Sequence, residues 1–326
     1  VTGELLQVRG LAKSYAAPVR SLAGLLGRPP KPVPVVQDVD FDIAQGEVLG
    51  LVGESGSGKS TTAMTVMRLQ DASAGRIVFL GNDVTRAAGA DLLAFRKHAQ
   101  LIFQDPYQSI NPSFTVLQAV SEPLVIHRAA RGTALRDLTV AALADAGLPQ
   151  PQTLLARTSA GLSGGQRQRV SIARAMILKP RLLVADEPVS MLDVSIRAGV
   201  LKLLKRLARE QSLGVLYISH DIATVRYLCD RVAVMYLGRI VEQGPTDAVL
   251  ADPCHPYTRA LIAAVPRAVR MRRPRVVLPQ TPGQAGRPAT GCSFLPRCPE
   301  AIGACATQRP LLRPVGEDRG VACLRR

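Results

Sequence analysis

Nine residues, GESGSGKST at 53–61, constrain this chain more than any other stretch of it. They fit the spacing G-x-x-x-x-G-K-[ST] through Gly53, Gly58, Lys59 and Ser60, with the apolar run VLGLV directly before and the helix-compatible TTAMTVMRL running on from Thr61. Such a loop belongs between a buried strand and a helix. Its glycines let the backbone curl until successive N–H groups point into one anion-binding nest at the helix N-terminus. Lys59 can then reach the outer phosphates of a nucleotide and the Ser60 hydroxyl can ligate Mg²⁺, while Ser55, Gly56, Ser57 and Thr61 complete the cradle.

The rhythm around that loop predicts the fold. Strand-like runs at Val48–Val52, Ile77–Leu80, Leu101–Phe103, Leu182–Ala185 and Val215–Ile218 alternate with helix-compatible stretches. That pattern belongs to an α/β chain on a mainly parallel, buried sheet. Residues 5–15 predict a further strand and turn, and 16–34, with five Pro, an inserted loop. About 105–165 is Ala- and Leu-rich (ALRDLTVAALADAGL) and predicts a helical subdomain. A length of 326 residues leaves room for about two domains. We assign a nucleotide-binding domain to 1–265 and a C-terminal extension to 266–326, where nine Pro and four of the six Cys collect.

Composition narrows the function classes. With 47% apolar and 20% charged residues the chain has material for a real core, and 4% aromatics without Trp argue against a base-stacking single-strand binder. No run approaches 18 uninterrupted apolar residues, and VTGELLQVRG has no basic-then-apolar leader pattern, so the expectation is a chain neither secreted nor membrane-spanning. The net charge of +16 is uneven, for residues 266–326 hold twelve Arg against three acids. Such a segment can face nucleic acid, an anionic membrane surface or another protein, or be a solvated tail.

A second phosphate-site element follows the first. Leu182–Glu187 (LLVADE) is an apolar strand ending in two acids, where buried runs usually end in turn residues. Downstream of a phosphate loop, Asp186 is expected to hold Mg²⁺ through water and Glu187 to act as general base on the attacking water.

Leu162–Gln166 reads LSGGQ and runs directly into RQRVSIARAMILKP. Together with Gln104 in LIFQDP, Ser190–Asp193 (SMLD) and His220 in YISHD, in that order along the chain, residues 5–265 resemble the ATP-binding cassette (ABC) family. The resemblance implies an ATPase. It makes Gln104 a Mg²⁺-associated glutamine, Asp193 part of the D-loop, His220 a γ-phosphate sensor and Tyr15 the ring that stacks on adenine. It also implies that Ser163, Gly164, Gly165 and Gln166 meet ATP held by a second cassette, so that two cassettes sandwich ATP head to tail. Two departures stand out: SAG precedes the signature where an acidic residue is usual, and Met191 replaces the usual Ala of the D-loop.

The insertion at 16–34, DPCHPYT at 252–258 continuing as RALIAAVP, and GCSFLPRCPEA from Gly291 resemble the oligopeptide/dipeptide/nickel importer branch of that family. This implies a second, different ATPase subunit, two membrane-spanning permease subunits and an extracytoplasmic solute-binding protein as partners, with the chain peripheral on the cytoplasmic face of the inner (plasma) membrane. Peptide is the expected cargo, nickel or another small solute the alternative. A soluble ABC ATPase acting on nucleic acid or ribosomes is a third reading, which lacks a second cassette or coiled-coil insertion here, and no nucleic-acid partner is expected.

Cys292, Cys298, Cys305 and Cys323 stand at C-x5-C-x6-C-x17-C. Thiols in a reducing compartment rarely pair, so four clustered ones predict a metal site. Four thiolates suit a [4Fe–4S] cluster, with which the tails of the resembling family are associated; zinc, or free or disulfide-linked thiols, are the alternatives. The cluster would staple a segment poor in core-forming pattern. Cys229 and Cys254 are expected in the core or an interface.

Overall fold

Two sheets with different neighbours organise the chain. In a computed structural model, which describes residues 4–16, 32–105, 110–264, 290–316 and 318–326, β1 (Glu4–Tyr15) and β2 (Val33–Ala44) pair antiparallel along nearly their full length. Next come β3 (Val48–Val52), β4 (Ala74–Phe79) and the two-residue β5 (Asn82–Asp83). β1, β2, β4 and β5 make a four-stranded antiparallel sheet in the order β2-β1-β4-β5. Most of the expected inserted loop, 17–31, lies outside the described residues.

The second sheet holds β3 and, from later in the chain, β6 (Ala99–Ile102), β7 (Leu182–Asp186), β8 (Gly214–Ser219), β9 (Arg231–Tyr236) and β10 (Arg239–Pro245). β11 (Arg313–Pro314) and β12 (Gly320–Val321) complete it in the order β11-β12-β10-β9-β3-β8-β7-β6. The run from β9 to β6 is parallel, and β10, β12 and β11 extend it antiparallel. Ile77–Phe79 of the run Ile77–Leu80, read from sequence as one of the alternating strands, thus belong to β4 and the antiparallel sheet, with Leu80 in the turn that follows.

Strands covered on both faces need apolar side chains on both. β3, β7 and β8 are buried at every position. Successive side chains alternate between faces: Leu49, Leu51, Leu182, Val184, Leu216 and Ile218 pack with the antiparallel sheet, whereas Val48, Val52, Leu183, Ala185, Val215 and Tyr217 pack with the helical side. That side includes Val116–Ile126, Gly132–Asp145 and Gly164–Met176, which bury Val120, Leu143 and Val170. Thr115 starts the first of these with a reciprocal capping box to Gln118.

The C-terminal segment completes the edge of the same sheet. Val321 pairs with Glu242 and Gly320 with Gln243. Glu242, only 1% exposed, accepts hydrogen bonds from the backbone N–H of Cys254 and of His255, each at 2.8 Å, and from Arg319 at 3.0 Å. Phe294 is buried in an aromatic group with Tyr236 at 5.2 Å and Tyr257 at 5.6 Å between centroids.

This packing overturns the expected [4Fe–4S] cluster. Among the described residues no group of three or more His, Cys, Asp or Glu is placed to hold a metal ion, and Cys292, Cys298, Cys305 and Cys323 are all free thiols. Burial pushes the Cys292 and Cys298 thiols up, and their neighbouring cysteines add to it. The segment needs no staple of its own because it borrows a core. Phe294, Cys305, Val321 and Ala322 are buried, and Phe294, Cys292 and Cys298 pack with the helical-side core. Cys229 is buried, as expected, and Cys254 is half-buried beside Arg319. Among the described residues no helix is long and apolar enough to cross a membrane.

Candidate nucleotide site

Four adjacent parallel strands deliver the expected site residues at one end of the sheet. β3 leads into Gly53, β7 ends at Asp186 with Glu187 next, β8 is followed by His220, and β6 leads towards Gln104. Ligands of open α/β sheets lie outside the carboxyl ends of the strands, so side chains distant in sequence meet here for a topological reason.

The loop after β3 has the conformation its glycines predict. Gly58 sits at φ +107 and caps the helix Lys59–Val66, and a Cβ there would lie 2.9 Å from the Val35 carbonyl oxygen. Ser55 and Gly56 are exposed at the crest of the loop, whereas Ser57, Gly58 and Lys59 are buried and Ser60 and Thr61 half-buried. The β9–β10 turn braces the loop from behind. Leu237 and Gly238 both have positive φ, +45 and +86, as a two-residue turn between twisted strands requires, and the Gly238 N–H donates to Ser57 O at 2.7 Å.

Lys59 Nζ donates to the carbonyls of Gly53 (2.8 Å) and Glu54 (2.9 Å). Burial lowers its pKa, against the opposing charges of Glu187, Asp186 and Glu54. Asp186 is raised mainly by burial, with a hydrogen bond from Ser60 opposing the shift. Asp186 Oδ1 and Ser57 Oγ are buried without a protein partner. Buried polar atoms normally have partners, so a carboxylate oxygen and a hydroxyl left over beside a lysine suit a Mg²⁺–nucleotide.

Glu187 carries the most constrained backbone of the site. Its φ is +46, a region that costs a non-glycine residue free energy and recurs at functional sites. Surrounding bonds hold it there: its N–H donates to Ile218 O at 2.9 Å, and its carbonyl accepts from the N–H (3.1 Å) and hydroxyl (3.0 Å) of Ser190. The carboxylate is thereby aimed between two side chains. Gln104 Nε2 donates to Oε2 at 3.0 Å, and His220 Nδ1 meets Oε1 at 2.9 Å.

The other expected residues lie elsewhere. Ser163 N-caps Gly164–Met176 through a capping box in which its hydroxyl accepts from Gln166 N at 3.3 Å and its own N–H donates to Gln166 Oε1 at 3.1 Å. This presents Gly164 and Gly165 at a helix N-terminus, and a Cβ on Gly165 would lie 2.8 Å from Ile196 Cγ2. Asp193 precedes the helix Val194–Glu210 without a side-chain cap bond. Tyr15, at the end of β1, donates its hydroxyl to Gln70, and Lys13 Nζ lies 5.2 Å from its ring centroid. Sequence reasoning missed Glu54, Tyr257 and Arg297. Glu54 was visible as a variable position inside the loop, Tyr257 lay within DPCHPYT, and Arg297 was read only as a charge offsetting the expected thiolate cluster, with no local sign that either reaches the loop.

Comparison with known proteins agrees with this geometry. The family model described as ABC transporter matches residues 36–190, and that described as oligopeptide/dipeptide transporter, C-terminal region, matches 241–305. A Brucella ovis protein named as a peptide import ATP-binding protein is 44% identical over 98% of both chains. The oligopeptide transport ATP-binding protein YkfD of Bacillus subtilis, so named, is 41% identical over 89% of both chains. Among solved structures, the dimeric post-hydrolysis ATP-binding cassette MJ0796 bound to ADP and Pi superposes with a TM-score of 0.65 at 26% identity, covering 74% of this chain and 98% of that one. With both family models matched in order and a relative similar along its whole length, the chain belongs to the ATP-binding proteins of the ABC transporter family, in the group that carries the oligopeptide/dipeptide transporter C-terminal region.

Proposed function

We propose that this chain hydrolyses ATP to drive import of peptides through a membrane permease, working as one of two paired cassettes. The observation that carries the reading is its end-to-end similarity to a relative named for peptide import. The site described above supports it: Lys59 lies against the loop carbonyls of Gly53 and Glu54, and the Glu187 carboxylate is held between Gln104 and His220.

In this reading the backbone N–H groups of 53–61 and Lys59 bind the phosphates, and Ser60, Gln104 and Asp186 hold Mg²⁺. The metal, when bound, neutralises phosphate charge at the reacting centre. Glu187 takes a proton from the attacking water while Gln104 and His220 fix its orientation. Ser163, Gly164, Gly165 and Gln166 of a second cassette close over the nucleotide, and Tyr15 packs on its base. The division into a nucleotide-binding domain (1–265) and an extension (266–326) belongs to the same proposal, as do a different ATPase chain as partner, an extracytoplasmic binding protein, and peripheral attachment to the membrane through the permease.

Reconstitution of the complex in vesicles tests the reading. ATP turnover should rise when the binding protein is loaded with short peptides and stay basal with nickel ions. Stimulation by nickel alone, or none by any peptide, would remove peptide import as the function.

A further inference from the structure

Glu54 stands between Gly53 and Ser55, where the chain bends around the phosphate position, and it is gripped by residues remote in sequence. Its N–H donates to the Tyr257 hydroxyl at 2.8 Å. Its carboxylate accepts both terminal nitrogens of Arg297, each at 3.0 Å. Its carbonyl accepts Lys59 Nζ at 2.9 Å. Arg297 lies 243 residues further along the chain, yet its side chain is only 6% exposed. The guanidinium carbon is 5.8 Å from the Tyr236 ring centroid and 5.9 Å from that of Phe294, and Tyr236 in turn packs 4.6 Å from Tyr257. A planar fork set over aromatic faces and paired with both carboxylate oxygens has little freedom left.

We infer that Arg297 is a positioning residue for the nucleotide site: the C-terminal segment reaches back to the phosphate loop, orients it through Glu54, and cancels a carboxylate charge that would otherwise oppose phosphate binding. A carboxylate one residue from Gly53 is electrostatically costly where a polyanion must dock. Its influence is felt locally, since Glu54 is one of the charges acting on Lys59. Tyr257 serves the backbone side of the same grip. This segment thus does part of the work of ATP binding, whatever the transported solute.

The inference rests on residues 53–61 being the nucleotide site, and the test separates the two. MgATP affinity and steady-state hydrolysis are measured on the full chain for Arg297→Ala, Arg297→Lys, Arg297→Ala combined with Glu54→Gln, Arg319→Ala and Lys59→Ala. Arg319 holds the same C-terminal segment through Glu242, so it controls for general loosening. Arg297→Ala should raise Kd and KM about tenfold with kcat changed less than about threefold, because removing the guanidinium from a half-buried charge pair leaves more of the Glu54 charge facing the phosphate position. Arg297→Lys should fall between, with one point charge replacing a fork. Adding Glu54→Gln should restore at least half of the lost affinity on a logarithmic scale, which a loss of packing alone would not allow. Arg319→Ala should stay within about twofold of the starting protein. The inference is overturned if Arg297→Ala also stays within about twofold, if Arg319→Ala weakens binding as much, or if Glu54→Gln restores nothing. Unchanged affinity in Lys59→Ala would instead sink the nucleotide site itself.

Discussion

Replacing Glu187 by Gln isolates proton transfer from every other property of the site. The amide has nearly the volume of the carboxylate, and its oxygen can still accept from Gln104 Nε2, now at 3.0 Å. Its NH₂ can donate to His220 Nδ1, now 2.9 Å from the carboxylate, when the ring proton sits on Nε2. The backbone at φ +46 keeps the same bonds to Ile218 and Ser190, so the variant should fold and bind nucleotide within about twofold of the starting protein. What it loses is a base. A positioned general base contributes about 10²–10⁴-fold, or roughly 2.7–5.4 kcal/mol at about 1.36 kcal/mol per decade. Phosphate release from the assembled complex under saturating MgATP should fall by that factor, with ATP-bound closed pairs accumulating. Turnover within about tenfold of the starting protein, at unchanged nucleotide affinity, would refute the assignment of Glu187 as base.

Two further outcomes follow from the same geometry. Lys59→Ala should weaken MgATP binding by about a hundredfold or more in equilibrium titration, since the buried cation expected to meet phosphate is removed from a site with three nearby acids. Stability should fall on acidification: burial depresses His255 from 6.5 to about 3, and its Nδ1 must stay unprotonated to accept the Tyr257 N–H at 3.0 Å. The unfolded chain takes up this proton below about pH 6.5 and the folded chain only near pH 3, so the contribution is complete above pH 6.5 and is lost between those limits by up to about 1.4 kcal/mol per pH unit. Urea midpoints at pH 7.5 and 5 should differ less in His255→Asn, which can cap the same helix without titrating; an equal difference would exclude His255 as the source.

Local chemistry made the candidate nucleotide site legible from sequence. A loop that cradles phosphate needs glycines at fixed positions and a lysine after them, so 53–61 could be read before any fold was known. LLVADE and LSGGQ stood out for the same reason, each being a short run whose residue types fit the ligand it is expected to meet. β3, β7 and β8 were legible as buried strands because cover on both faces demands continuous apolar runs. Ile77–Leu80 carried no mark of which sheet it would join, since a short apolar strand looks alike in both.

Only the tertiary structure decided the matters that depend on contacts across the chain. It brought Gln104, Glu187 and His220 together because β6, β7 and β8 are neighbours in the sheet, and it forced Glu187 to a positive φ that no sequence pattern announces. It also corrected the reading of the cysteines. Counted along the sequence, 266–326 lacks a core and four thiols look like its staple; in the fold, Phe294 is buried in the helical-side core and Val321 is buried in pairing with Glu242 of β10, and Arg297 reaches Glu54 across 243 residues. Motif spacing records local geometry, whereas the partner of a buried side chain is set by how strands and segments stack, and that information is distributed over the whole chain.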